Sequence, residues 1–153
     1  MTGQIYIALF VGLAAAIEDI ARRRISNWIP AAAFLAGIAW MLWHSGWRGG
    51  LSSVAGTVAG FAVFLIFYWL GGMGGGDVKL MAGFGAVLGI ERLLEAALWT
   101  AAFGGIMAAG AVAFNFIHKA SERSRNNAKR RVEAIPYAPA IALGAWAALL
   151  SRL

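Results

Sequence analysis

Long apolar runs, separated by short polar or glycine-rich breaks, dominate the chain. The first extends from about Ile5 to Ile17 and stops at Glu18-Asp19, and the second covers about Trp28 to Trp43. The third covers about Ser53 to Leu70, the fourth runs from Asp77 to about Ile90, the fifth from about Leu93 to Ile117, and the sixth from about Tyr137 to Leu150. A helix that crosses the hydrocarbon core needs about 20 apolar residues, with a range of about 17–25. The pattern therefore predicts an all-α, polytopic membrane protein of about six transmembrane helices, read as one domain over residues 1–153. The first run is followed by charges and not by a small-residue cleavage site, so it reads as a retained span and not a signal peptide. Ser26 or Asn27 is a suitable N-cap for the second helix, with Pro30 in its first turn. One long polar stretch, HKASERSRNNAKRRVEAIP, separates the fifth and sixth runs.

Composition sharpens this reading. Apolar residues make up 61% of the chain and charged residues 13%, against roughly 45–50% and 25% in soluble domains. The absence of cysteine excludes disulfides, cysteine-ligated zinc and a thiol nucleophile. The net charge of +6 follows from sidedness. With the N-terminus outside, Arg22, Arg23, Arg24, Lys79, Lys119, Arg123, Arg125, Lys129, Arg130 and Arg131 fall on the cytoplasmic side, and only Arg48, Arg92 and Arg152 fall outside. That obeys the positive-inside rule and points to anionic lipid, not nucleic acid, as the partner of the positive charge. Trp28, Trp43, Trp47 and Trp69 are expected near span ends, where amphipathic rings settle. Gly56, Gly60, Gly104, Ala108 and Ala111 are expected to let helices approach closely.

Candidate chemistry rests on few residues. Of the seven acidic side chains, Glu122 and Glu133 belong to the polar stretch, Glu91 to an outer turn, and Glu95 to the start of the fifth run. Asp19 is expected to end a helix, where its charge opposes the macrodipole, with an ion pair to Arg22 or Arg23 as the bland explanation. Asp77 follows the glycines of GGMGGGDVKL and is suited to an N-cap. Topology puts both at the cytoplasmic membrane face. Two carboxylates meeting there would share a proton, so that one could deprotonate water while the other polarised a carbonyl. Each glycine in a helix costs about 1 kcal/mol against alanine, so GGMGGG is expected to unwind. Its bare backbone would form a docking strip for an extended peptide.

The same residues resemble a known family. Gly74-Gly75-Gly76-Asp77 resembles the signature of the GxGD intramembrane aspartic proteases, and the longer GGMGGGDVKLMAGFGAVLG closely resembles a catalytic region of the type IV prepilin leader peptidases. DIARRRISN resembles that family's other aspartate region, with Asp19 and Asn27 matching and Ser26 where proline is common; IPYAPAIALG resembles the start of its final helix. The resemblance implies Asp19 and Asp77 as the catalytic pair, with Gly74, Gly75, Gly76, Asn27 and Lys79 in support, and no metal or cofactor. Lys79 would orient the pair or hold a lipid phosphate, and Asn27 would bond the dyad or hold its loop. It also implies a prepilin substrate cleaved between a basic leader and an apolar helix at the bacterial inner membrane. Larger members carry an N-terminal extension with a cysteine-rich domain associated with N-methylation. This chain resembles the short, peptidase-only type found with Flp (tight-adherence) pili. The change to Ser26 is expected to loosen the loop.

Readings from other classes are a small transporter or channel and a non-catalytic pilus-assembly membrane protein. Broken helices and acidic residues occur in transporters, but their charges lie near the midplane, and no internal repeat is visible. His44 and His118 form no HExxH pattern and there is no GxSxG, which argues against a zinc protease and a serine hydrolase.

Overall fold

The computed structural model describes residues 2–121 and 137–151, which are almost entirely helical. Helix α1 is Thr2–Arg22, α2 is Trp28–Trp69, α3 is Gly75–Leu88, α4 is Ile90–Ser121 and α5 is Ala138–Leu150. Three of them are long and apolar enough to cross a membrane, over Gly3–Arg22, Trp28–Trp69 and Ile90–Gly110, while α5 is a shorter apolar helix. The expectations for Glu122, Glu133, Arg123, Arg125, Lys129, Arg130, Arg131 and Arg152, and for the side chains of Ala111 and Lys119, lie outside the described residues.

The second and third apolar runs join in α2, which folds back on itself. Gly46 sits at φ +58°, ψ −149° inside it, a conformation that only glycine reaches without strain. Beyond that point, a Cβ on Gly49 would lie 2.7 Å from Ser45 Cβ and 2.9 Å from the Met41 carbonyl carbon. Residues eight apart in an unbroken helix are separated by about 12 Å, so the chain reverses at Gly46. Two limbs result, residues 28–45 and 47–69, and both lie against α3. The exposed rings of Trp43 and Trp47 flank the reversal, while those of Trp28 and Trp69 mark its two far ends.

Helix α3 is the centre of the bundle. Of its 14 residues only Gly75, Gly76 and Lys79 are not buried. It contacts every other helix, α2 most of all. Glycine makes this possible. A Cβ on Gly37 would stand 2.6 Å from the backbone of Ala86 and Val87, and Cβ atoms on Gly56 and Gly85 would each strike the carbonyl oxygen of the other. A Cβ on Gly83 would stand 3.0 Å from the Pro30 carbonyl oxygen and from Ala33 Cβ. In a membrane, association rests on such van der Waals contact, because lipid tails are as apolar as leucine. Gly56, Gly60 and Gly104 are buried in helix contacts, as their spacing suggests.

Polar side chains finish the C-terminal end of α3. A helix leaves its last four carbonyls without intrahelical donors. The Gln4 amide of α1 donates to the Val87 carbonyl at 2.9 Å, and the Ser53 hydroxyl of α2 donates to the Ala86 carbonyl at 2.8 Å. Gly89, at φ +73°, ends α3 and turns the chain into α4. The Trp146 indole donates to the Ala8 carbonyl at 2.9 Å, tying α5 to α1.

Overpacking a filled interface costs about 1–3 kcal/mol, so Gly85→Val is expected to lower the unfolding midpoint in detergent clearly. Gly105, with open space around its Cβ position, provides the contrast: Gly105→Ala is expected to leave the midpoint unchanged or raised. Thermal melts of the two variants beside the parent protein check both.

Candidate active site

The break before α3 is shorter than the run of glycines suggests. Helix α2 ends at Trp69, Gly71 takes φ +74°, and Gly74 in extended conformation is the N-cap of α3. Gly75 and Gly76 therefore lie in the first helical turn, and unwinding is confined to residues 70–74. Asp77 is the third residue of the helix and not its N-cap. From there its Oδ2 accepts the Gly74 N–H at 3.1 Å, the acidic half of a capping box.

Asp19 also departs from expectation. Helix α1 does not stop at Glu18-Asp19 but continues to Arg22 and ends where Arg23 takes φ +51°. The extra turn is possible because both carboxylates find partners. Glu18 accepts the Ser26 N–H at 3.0 Å and the Ser26 hydroxyl at 2.5 Å, with Arg22 at 3.9 Å. Asp19 Oδ2 accepts the Ala138 N–H at 3.1 Å. Ala138 is the first residue of α5, so this carboxylate caps a helix 119 positions away. An acidic group at a helix N-terminus satisfies one orphan donor and meets the positive end of the dipole. Of the two ion pairs expected for Asp19, with Arg22 or Arg23, the one with Arg22 is made by Glu18 instead.

The two aspartates come together. Helices α1 and α3 touch, Asp19 and Asp77 are 7% and 8% exposed, and the Asp19 charge acts on Asp77. Each carboxylate has one oxygen on a backbone N–H, and the other oxygen accepts no hydrogen bond among the described residues. Those second oxygens are not sealed, since Thr100 Oγ1 is the one fully buried, unpartnered side-chain atom among the described residues. Two buried carboxylates that feel each other's charge, each with an oxygen that accepts no hydrogen bond among the described residues, are the groups that sharing one proton requires.

The supporting residues are placed as follows. Gly74 and Gly75 are exposed beside Asp77. Gly76 is covered: a Cβ there would stand 3.2 Å from Ile25 Cβ, so this glycine seats the loop after α1 on the start of α3. Asn27 is the N-cap of α2 without a side-chain cap bond; its Oδ1 accepts from the Lys79 ammonium at 3.0 Å. It bonds neither aspartate. The Asn27–Lys79 pair joins the same loop to α3 from the other flank, beside a cavity of about 300 Å³ that neither aspartate lines.

Sequence reasoning missed the role of Glu18 and misjudged Ser26. The loop is not loosened there, because serine supplies both an N–H and a hydroxyl to Glu18, and proline has no N–H to give. The signal was available in a carboxylate eight residues before a serine, across a loop of basic residues. Among the described residues no three histidine, aspartate or glutamate side chains gather as a metal site.

Comparison with known proteins places the chain in a family. Residues 6–109 match the model of the type IV leader peptidase family. The chain is 36% identical over 106 residues to a prepilin leader peptidase/N-methyltransferase of Bacillus subtilis, covering 68% of this chain and 37% of that protein. It is 31% identical over 105 residues to proteins of the same name from Aeromonas hydrophila and Aeromonas salmonicida, covering 64% of this chain and 32% of each. The chain thus spans about a third of the length of these curated relatives. No solved structure matches it. With both aspartate regions inside the matched segment, the chain belongs to the type IV leader peptidase family.

Proposed function

We propose that this protein is a membrane-embedded aspartic endopeptidase that removes the basic leader of type IV, Flp-like prepilins. The observation that carries the reading is the pair of buried carboxylates on the touching helices α1 and α3, each with one oxygen that accepts no hydrogen bond among the described residues. In the proposed reaction the ionised partner of the Asp19–Asp77 pair takes a proton from the bound water. The resulting hydroxide attacks the scissile carbonyl, which the protonated partner polarises. The tetrahedral intermediate collapses as the amide nitrogen leaves with a proton from the pair. The exposed backbone at Gly74 and Gly75 receives the extended peptide,. Asn27 and Lys79 hold the adjoining loop on α3.

The proposed topology has the N-terminus outside and about six spans, counting the limbs of α2 separately. That puts both aspartates at the cytoplasmic rim of the inner membrane, together with Arg22, Arg23 and Arg24. A substrate whose basic leader stays in the cytoplasm and whose helix lies in the bilayer presents its junction at that rim. Leader removal alone is proposed. The N-methyltransferase part of the relatives' name is left out, since the match covers about a third of their length and the chain holds no cysteine.

Co-expression with a prepilin and a gel shift for leader loss tests the assignment. Asp19→Asn and Asp77→Asn are each expected to lower cleavage by at least about 10³-fold, the scale of a lost acid or base, while the protein still inserts. Normal processing by either variant removes that residue from the pair. For the docking strip, Gly75→Val is expected to raise KM about tenfold, the scale of one or two lost peptide hydrogen bonds, with kcat much less affected. An unchanged KM contradicts it.

A further inference from the structure

A second cavity, of about 340 Å³, lies at the far end of α1 from Asp19. Gln4 lines it, and the rise of a helix puts 15 residues, or about 22 Å, between Gln4 and Asp19. Its walls come from α1, from both limbs of α2 at the reversal, from Leu88 at the end of α3, and from the first turn of α4. The polar groups facing it are Gln4, His44, Ser45, Arg48, Ser52, Glu91 and Arg92.

The charges in this cavity do not balance internally. Neither Arg48 nor Arg92 makes an ion pair or hydrogen bond among the described residues. Glu91 is in the first turn of α4, where a carboxylate complements the helix dipole. Arg92, one residue further, adds positive charge to that same positive helix end. Ser52 Oγ already accepts the Ile90 N–H at 3.2 Å. The His44 ring is stacked on Trp40 at 4.1 Å, which fixes one wall. The cavity therefore presents two unpaired guanidiniums, a helix N-terminus and hydroxyls around one opening. Arginine forks match phosphate oxygens two at a time.

Its position selects the source of the anion. Trp43 and Trp47, 86% and 75% exposed, flank the same reversal, and such rings settle at the level of lipid headgroups. Exposed Leu42 and Leu51 beside them give an acyl chain an apolar surface to follow. We propose that Arg48 and Arg92 form a binding site for the phosphate of an anionic phospholipid, remote from the aspartate pair. A bound lipid there would brace the reversal of α2 against α4.

The test uses the full chain, purified and delipidated in detergent, titrated with short-chain phosphatidylglycerol, with diacylglycerol of the same chains, and with inorganic phosphate. Saturable binding of phosphatidylglycerol, weakened by salt, with little binding of diacylglycerol, is expected. The double variant R48Q/R92Q is expected to lose at least about tenfold in that affinity, the scale of lost charge-assisted bonds, and R48K/R92K to recover part of it. Inorganic phosphate binding as tightly as the lipid would support the anion site but transfer it to a free ligand and overturn the lipid assignment. Equal binding of diacylglycerol, or an unchanged affinity in R48Q/R92Q, overturns the proposal. If the glutamine variant does not fold, the salt dependence of the parent protein still decides: salt-independent binding rejects an ionic site.

Discussion

Backbone-to-backbone contact around α3 is the constraint on which the rest of the molecule depends. A helix of 14 residues is about 21 Å long, short of the roughly 30 Å hydrocarbon core. It is held at the centre of the bundle because glycines on both sides remove the side chains that would keep helices apart. Gly37, Gly56 and Gly85 set its depth against the two limbs of α2. Gln4 and Ser53 take its terminal carbonyls. Enclosed in this way, α3 presents its first turn, and with it Asp77, at one end of the bundle.

The second carboxylate reaches that end by a different device. Asp19 is on α1, but its hydrogen bond goes to the first amide of α5. The bond thus joins α1 to the start of α5. Each aspartate is supplied with one backbone N–H from a helix start, its own for Asp77 and a remote one for Asp19. A buried carboxylate without a donor would be expensive. One donor each lowers that cost and leaves one oxygen of each group without a hydrogen bond among the described residues. Around the pair, Glu18–Ser26, Gly76–Ile25 and Asn27–Lys79 fix the loop that follows α1.

How much of this could be read in the sequence depended on how local each cause was. The helical class and the close approach at Gly56, Gly60 and Gly104 were legible, because hydrophobic runs and their ends follow from the need to satisfy the backbone in lipid. The end of α1 was misread because the partners of Glu18 and Asp19 come from Ser26 and Ala138, and the latter contact exists only in the folded bundle. The glycine run was read as wholly unwound, yet Gly75 and Gly76 begin a helix, since burial of the residues behind them outweighs their poor propensity. Asn27 had two open roles, and the position of Lys79 decided for the loop. The reversal at Gly46 was implied by two apolar runs, but its backbone angle was not. The arginine-lined cavity left no local pattern, because Arg48 and Arg92 are brought together only by that reversal.

The central claim of the proposed function is that Asp19 and Asp77, 58 positions apart in the chain, act side by side at one membrane rim. The chain has no cysteine, so an Asp19→Cys, Asp77→Cys double variant carries the only two thiols. Treatment of inside-out vesicles with a short, membrane-impermeant bifunctional maleimide tests the claim directly. The account predicts efficient bridging within single chains, detected by mass spectrometry, and no bridging when the reagent is confined to the other face. Thiols that react from opposite faces, or that never bridge, would contradict it.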